Sequence, residues 1–300
     1  IYTGEDTLSL HDALPISKIG YILFEINKLR KNERLSYRQK VTKYLIYKLK
    51  ARVVYLFLKI NSSFFNFYIK KEFNKKVCFF VPTNIIYSKL KKDLTIYINP
   101  EYLNLNLKDW LKVDEKSIIN ISYYFFGDGN WENISSDISK SIVYKELLDL
   151  KNVNMDYKSS KHYLSYVQKM NKNNPTTKQH KILNTYEAID SYFERFINLY
   201  NSIKEKGVLK ADNFKKEIEN KAIGIAVNSN GEILKLPGAQ HRVVISKILN
   251  LEKIPVEIRL IHKEYIEKIM NLYNLNYDGA ILKIVYLMQE KYQVEKSDKR

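Results

Sequence analysis

A single cysteine, Cys78, stands in a chain of 300 residues. One thiol excludes an internal disulfide and any zinc site built on cysteines, and it suits a reducing compartment. Glycine and proline are scarce, at 9 and 6, and neither a repeat nor a low-complexity linker interrupts the chain. Long apolar runs are also missing. The richest, Arg52 to Ile69, is broken by Lys59, Asn61, Ser62, Ser63 and Asn66, which is too polar for a membrane span. With Lys48, Lys50, Lys70 and Lys71 around it, it reads either as a buried helix with a basic face or as a helix on an anionic membrane surface. Acidic residues are outnumbered, 33 against 50 Lys and Arg, for a net charge of +17. That excess favours polyanionic partners such as nucleic acid, anionic membrane or phosphorylated ligands. The abundance of Lys, Asn, Ile, Tyr and Phe also fits A+T-rich codon usage, so part of the charge is compositional. With 45% apolar residues, the chain is not of disordered type.

What is present is concentrated in residues 222–261. Gly224 to Val227 is long enough for a strand, Asn230-Gly231 supplies the positive φ of a two-residue hairpin turn, and Glu232 to Leu236 returns. Pro237-Gly238 opens a loop. Val243, Val244, Ile245, Ile248, Leu249 and Leu251 recur at helical spacing, with Asn250 as the stop. From Pro255 a strand alternates Val256, Ile258 and Leu260 with solvent-facing Glu257 and Arg259.

Between strand and helix lie Gly238, Ala239, Gln240, His241 and Arg242. The unbonded N–H groups of a helix's first turn, and its dipole, favour an anion there. Gly238 lets a ligand approach the main chain. The planar fork of Arg242 matches two phosphate oxygens, and His241 can donate a hydrogen bond or move a proton near neutral pH. The pattern points to a di- or triphosphate. The plainer reading is that His241 and Arg242 cap and solvate a helix start.

Strand, G-x-x-H-R, apolar helix, Leu-x-x-Ile-Pro-Val and strand together resemble the ParB/sulfiredoxin-like superfamily. Within it the chain is most similar to a branch found beside surface-polysaccharide genes. That branch carries elements like Gly129-Asn130-Trp131-Glu132 and Leu199-Tyr200-Asn201-Ser202-Ile203-Lys204, which extend the resemblance from Tyr123 to Lys263. It implies that the loop before the helix holds a nucleotide phosphate, with ATP or CTP and Mg²⁺ as the cofactors to expect. Members bind CTP and DNA, reduce sulfinic acids or phosphorylate small molecules. Here Gln240 stands where the reductases carry cysteine, Gly238-Ala239 where the kinases carry Asp-Gly, and no helix-turn-helix pattern follows Ile261.

Residues 1–17 are set aside as an artefactual segment, because Thr7 to Ile16 resembles a translated sequencing adapter. Residues 18–135 form a basic region with a helix at 18–47 and strands near 77–81, 94–98 and 117–126. Residues 136–300 hold a helical segment and the ParB-like domain, its core at about 205–275. Helices are expected at 137–150, with Ile138, Ile142, Val143, Leu147 and Leu148 on one side, at 157–172, and at 185–206, closed by Gly207. Two more follow residue 261. His162 and His180 have no partner at ligand spacing and read as surface residues. At the turn Gly127 to Glu132, Asp128 or Glu132 is a candidate Mg²⁺ ligand beside a phosphate. Trp131 is either a loop aromatic for stacking on a base or sugar, or a core residue.

The expectation is an α+β protein, a mainly helical N-terminal region followed by a ParB/sulfiredoxin-like domain, cytoplasmic or peripheral to a membrane. Three functions are consistent with it. One is a phosphotransferase acting on a small molecule or glycan precursor, with Gly238 to Arg242 on the phosphates, Asp128 or Glu132 on Mg²⁺, and His241 and Glu257 as catalytic candidates. The second is a DNA-binding module. The third is a non-catalytic scaffold in polysaccharide assembly that reads a sugar phosphate.

Overall fold

The computed structural model describes residues 62–74, 79–108, 110–112, 118–178, 181–208 and 222–293. Cys78, His180, the adapter-like start and the helix expected at 18–47 lie outside them. The helices, in chain order, are α1 Ser62–Phe73, α2 Thr83–Leu90, α3 Ile142–Asn152, α4 Lys161–Asn171, α5 Tyr186–Lys206, α6 Gln240–Ile248, α7 Lys263–Tyr273 and α8 Tyr277–Tyr292. The first six strands are β1 Phe79–Pro82, β2 Thr95–Ile98, β3 Leu105–Leu107, β4 Trp110–Lys112, β5 Ile118–Asn120 and β6 Tyr124–Gly127. The others are β7 Ser135–Asp137, β8 Thr176–Lys178, β9 Lys181–Leu183, β10 Ile223–Val227, β11 Ile233–Lys235 and β12 Ile254–His262. The architecture is α+β. Among the described residues no helix is long and apolar enough to cross a membrane.

The chain forms two compact units. One comprises Ile1–Leu94, Trp110–Trp131 and Arg259–Ile284. In it β1 runs antiparallel to β6, and β6 parallel to the end of β12, with Phe126 opposite Ile261. Helix α1 turns Phe65, Ile69 and Phe73 inward, and Phe73 meets Phe80 and Phe126 edge-on at 4.8 and 4.9 Å. Trp131 belongs to this core. It is 3% exposed and stacks on His262 at 5.6 Å, so it is not the loop aromatic open to a base or sugar. Close packing explains why: a Cβ on Gly127 would sit 2.6 Å from Trp131 Nε1 and 2.9 Å from Phe79 Cε1, so only glycine lets the indole in. His262 Nδ1 accepts from the Glu264 N–H, which leaves Nε2–H to donate to the Gly129 carbonyl at 2.9 Å.

The other unit comprises Thr95–Asp109, Glu132–Ile258 and Val285–Arg300. The β10–β11 hairpin is antiparallel, β11 pairs in parallel with β3, and β3 antiparallel with β7. Strand β12 neighbours β10 and pairs on its other side with β2, antiparallel, with Glu257 opposite Thr95. The hairpin turn differs from the expected two-residue form. Asn228 N–H bonds to the Glu232 carbonyl, Gly231 N–H to the Asn228 carbonyl, and Gly231 alone takes a positive φ, +74°. This is a three-residue loop with a left-handed glycine, and the Asn228 side chain holds it by accepting from the N–H groups of Asn230 and Glu232. The alternation expected in β12 is also absent. Glu257 is 5% exposed, because β12 is an interior strand covered on both faces.

Among the described residues four α-helices, α3 to α6, lie wholly in this unit. Hydroxyls cap three of them: Ser141 for α3, Ser160 for α4 and Thr185 for α5. Gly207, at φ +67°, closes α5 after 21 residues. Helix α6 packs against α3 and α5. The buried face of α3 is Glu146, Leu147, Asp149 and Leu150, while Ile142 and Leu148 are exposed, a rotation from the apolar face expected. The cause is polar. Glu146, 0% exposed, accepts from Tyr166 Oη of α4, from Lys178 Nζ of β8 at 2.8 Å and from Tyr192 Oη of α5 at 2.9 Å. Asp149 accepts from the backbone N–H of His162 and contacts its Nδ1, both at 2.9 Å. Burial and the charge of Glu146 push both phenol pKa values up, so the tyrosines remain donors at neutral pH.

Removing one partner from such a buried ionic group leaves the others unanswered. Glu146→Ala is expected to lower the unfolding free energy in urea by about 3–5 kcal/mol, and Tyr192→Phe by about 1–3 kcal/mol. A loss below about 1 kcal/mol for Glu146→Ala contradicts the structural weight given to this carboxylate.

Candidate functional site

The ladder ends where Leu236 N–H reaches the Gly224 carbonyl at 2.9 Å. The chain then bends through Pro237 into two left-handed residues, Gly238 at φ +87° and Ala239 at φ +53°, ψ 18°, before α6 begins at Gln240. A left-handed residue followed by a right-handed one swings successive backbone N–H groups toward a common concavity, an arrangement that receives anions. Ala239 has no side-chain oxygen to cap them, unlike Ser141, Ser160 and Thr185. Alanine is a poor cap and is strained at positive φ. Gly238 is exposed, and a Cβ there would meet nothing within 4 Å. The turn is therefore open at the helix mouth.

Beneath it the side chains are packed. The His241 ring lies 4.6 Å from Phe196 of α5, and its Nε2 is buried with no hydrogen-bond partner among the described residues. Burial lowers its pKa to about 4. The charge of Glu146 opposes that shift, and Arg195, Lys178 and Lys235 add to it. Three cations and one carboxylate thus act on the His241 ring, and Arg242 adds a further cation in the same turn. Lys235 is fully buried, its Nζ donating to Asn106 Oδ1 and to the Leu236 carbonyl, each at 2.8 Å. The local field favours negative charge at the mouth of α6.

The structure gathers Gly238, Ala239, Gln240, His241 and Arg242 at one helix start, as their contiguity requires. Gln240 and Arg242 are half-buried, and the Arg242 carbonyl accepts from Ser246 Oγ at 2.6 Å. Glu257 lies inside its sheet opposite Thr95. Asp128 contacts Lys263 Nζ at 3.2 Å through Oδ2 and accepts from Gly129 N–H through Oδ1. Both oxygens of Glu132 take hydrogen bonds from Ser229, from its N–H at 3.1 Å and its Oγ at 2.6 Å. Each carboxylate thus has protein donors among its partners. No group of three or more His, Cys, Asp or Glu among the described residues could hold a metal ion. The buried set around His241, comprising Glu146, Tyr166, Lys178 and Tyr192, was not read from the sequence. Its one trace there is a glutamate between Leu147 and the helix start that interrupts neither helical pattern nor charge balance.

Compared with known proteins, the chain matches no family model, no curated protein and no solved structure.

A histidine whose folded pKa lies near 4, below the ordinary 6.5, makes the folded state lose stability as pH falls between those values, since only the unfolded chain takes the proton. The contribution is complete above pH 6.5. Stability of the wild type relative to His241→Gln is expected to drop by roughly 2 kcal/mol between pH 7.5 and pH 5 in urea titrations. A gap that stays constant over that range contradicts a buried neutral imidazole.

Proposed function

We propose that the protein binds a phosphorylated small molecule, a nucleotide or sugar phosphate, at the Gly238 to Arg242 turn. The observation that carries this is the uncapped, left-handed Gly238-Ala239 entry into α6, set in a surplus of cations. The order of hairpin, turn, helix and strand supports the resemblance to the ParB/sulfiredoxin-like superfamily, where this loop holds phosphate. Backbone N–H groups and the Arg242 guanidinium take the phosphate oxygens. His241, neutral at pH 7 and packed beneath the turn against Phe196, supports the turn and brings no charge to the phosphate. With a pKa near 4 it is a feeble general base, so the reading stops at binding and does not extend to phosphoryl transfer.

Isothermal titration calorimetry with ATP, CTP, a nucleotide sugar and inorganic pyrophosphate tests it. One saturable site is expected, with affinity falling at least about tenfold in Arg242→Ala, the scale of a charge-assisted hydrogen bond. Gln240→Glu is expected to keep or raise the melting temperature, because a carboxylate suits a helix's first turn, while weakening binding by repulsion. No heat with any phosphate compound, or undiminished binding in both variants, overturns the proposal. Salt-sensitive binding of duplex DNA with no small-molecule binding transfers the site to the DNA reading.

A further inference from the structure

At the opposite end of α6 the same unit contains a cavity of about 430 Å³, within the range of small-molecule sites. Lys247, Lys151, Asp137 and Glu101 line it. The Lys247 side chain is only 9% exposed; its Nζ donates to Asn104 Oδ1 at 2.8 Å and lies 3.7 Å from Glu101. Among the described residues, Lys151 Nζ makes one long bond, 3.4 Å, to the Ile248 carbonyl. Asp137 spends Oδ1 on the N–H and Oγ of Ser139, and Oδ2 has no hydrogen bond among the described residues. Each ammonium has three donors and no acceptor, and each carboxylate only acceptors. Unused capacity of both kinds therefore faces one space.

The signs are interleaved. Lys247 lies close to Glu101 and also interacts with Asp137, so no part of the cavity carries one charge. An anion meets two carboxylates, a cation meets two ammoniums, and a zwitterion finds no separate poles. We propose that this cavity binds a neutral sugar, whose every hydroxyl both donates and accepts and so meets lysine, carboxylate and the amides of Asn104 and Asn250 alike. Tyr144 and Leu148 supply an apolar wall for the ring's C–H face. Burial lowers the Lys247 pKa against the opposing pull of Glu101 and Asp137, as for an amine short of hydrating water. This site is separate from the phosphate turn and does not depend on it.

The test is saturation-transfer NMR on the full chain with glucose, galactose, N-acetylglucosamine and myo-inositol, and with glucuronate, glucosamine and glutamate as charged probes. At least one neutral compound is expected to show transfer. Lys247→Met and Asp137→Asn should each weaken its binding about tenfold or more without changing the circular dichroism spectrum, whereas Arg242→Ala leaves it intact. If Lys247→Met does not fold, the exposed Lys151→Met reads the same loss. No transfer from any neutral probe at about 10 mM, stronger transfer from charged probes, or undiminished transfer in the variants overturns the proposal.

Discussion

A carboxylate without water must be answered by protein donors, and Glu146 is answered by three from three different elements. Tyr166, Lys178 and Tyr192 lie 20, 32 and 46 residues along the chain. Meeting at one point, they tie α3 to α4, β8 and α5. Helix α6 packs on two of these, α3 and α5. The arrangement that satisfies Glu146 therefore also sets the bed on which α6 lies. Phe196, one helical turn beyond Tyr192 on α5, then comes to rest on His241.

The same carboxylate shapes the chemistry of the helix mouth. Its negative charge acts on His241 against Arg195, Lys178 and Lys235. Part of the positive field around the turn is thus held in place by a buried acid, while the ring itself stays uncharged through desolvation. The result separates two tasks. The backbone of Gly238 to Gln240 lies at the open helix mouth, and the His241 ring packs inward against Phe196. Ala239 accepts a strained, uncapped position that the other helices of the unit fill with hydroxyl residues. Such local cost is the kind that function retains.

The hairpin–turn–helix–strand order was legible because its punctuation is local. Gly231, Pro237 and Gly238 break apolar runs at the required places, and Thr185 and Gly207 bracket α5. The turn at Gly238 was legible for the same reason. The rest depends on distant partners. Nothing near Glu146 announces two tyrosines and a lysine far along the chain, so the apolar residues of α3 implied a face rotated from the buried one, the two sharing Leu147. Glu257 read as solvent-facing because alternation describes a half-covered strand, whereas β12 is buried on both faces. Trp131 was ambiguous until the bare backbone of Gly127 was seen to admit its ring. The left-handed φ of Ala239 had no signal at all, since alanine rarely adopts it.

The concavity at the start of α6 is the claim on which the functional account turns, and its backbone amides can be observed one by one. A ¹H–¹⁵N correlation spectrum followed during titration with inorganic pyrophosphate is the most direct measurement. Saturable shifts concentrated at Ala239, Gln240, His241 and Arg242 are expected. Saturation with those four amides unmoved, or no shift anywhere, contradicts an anion cradle at this turn.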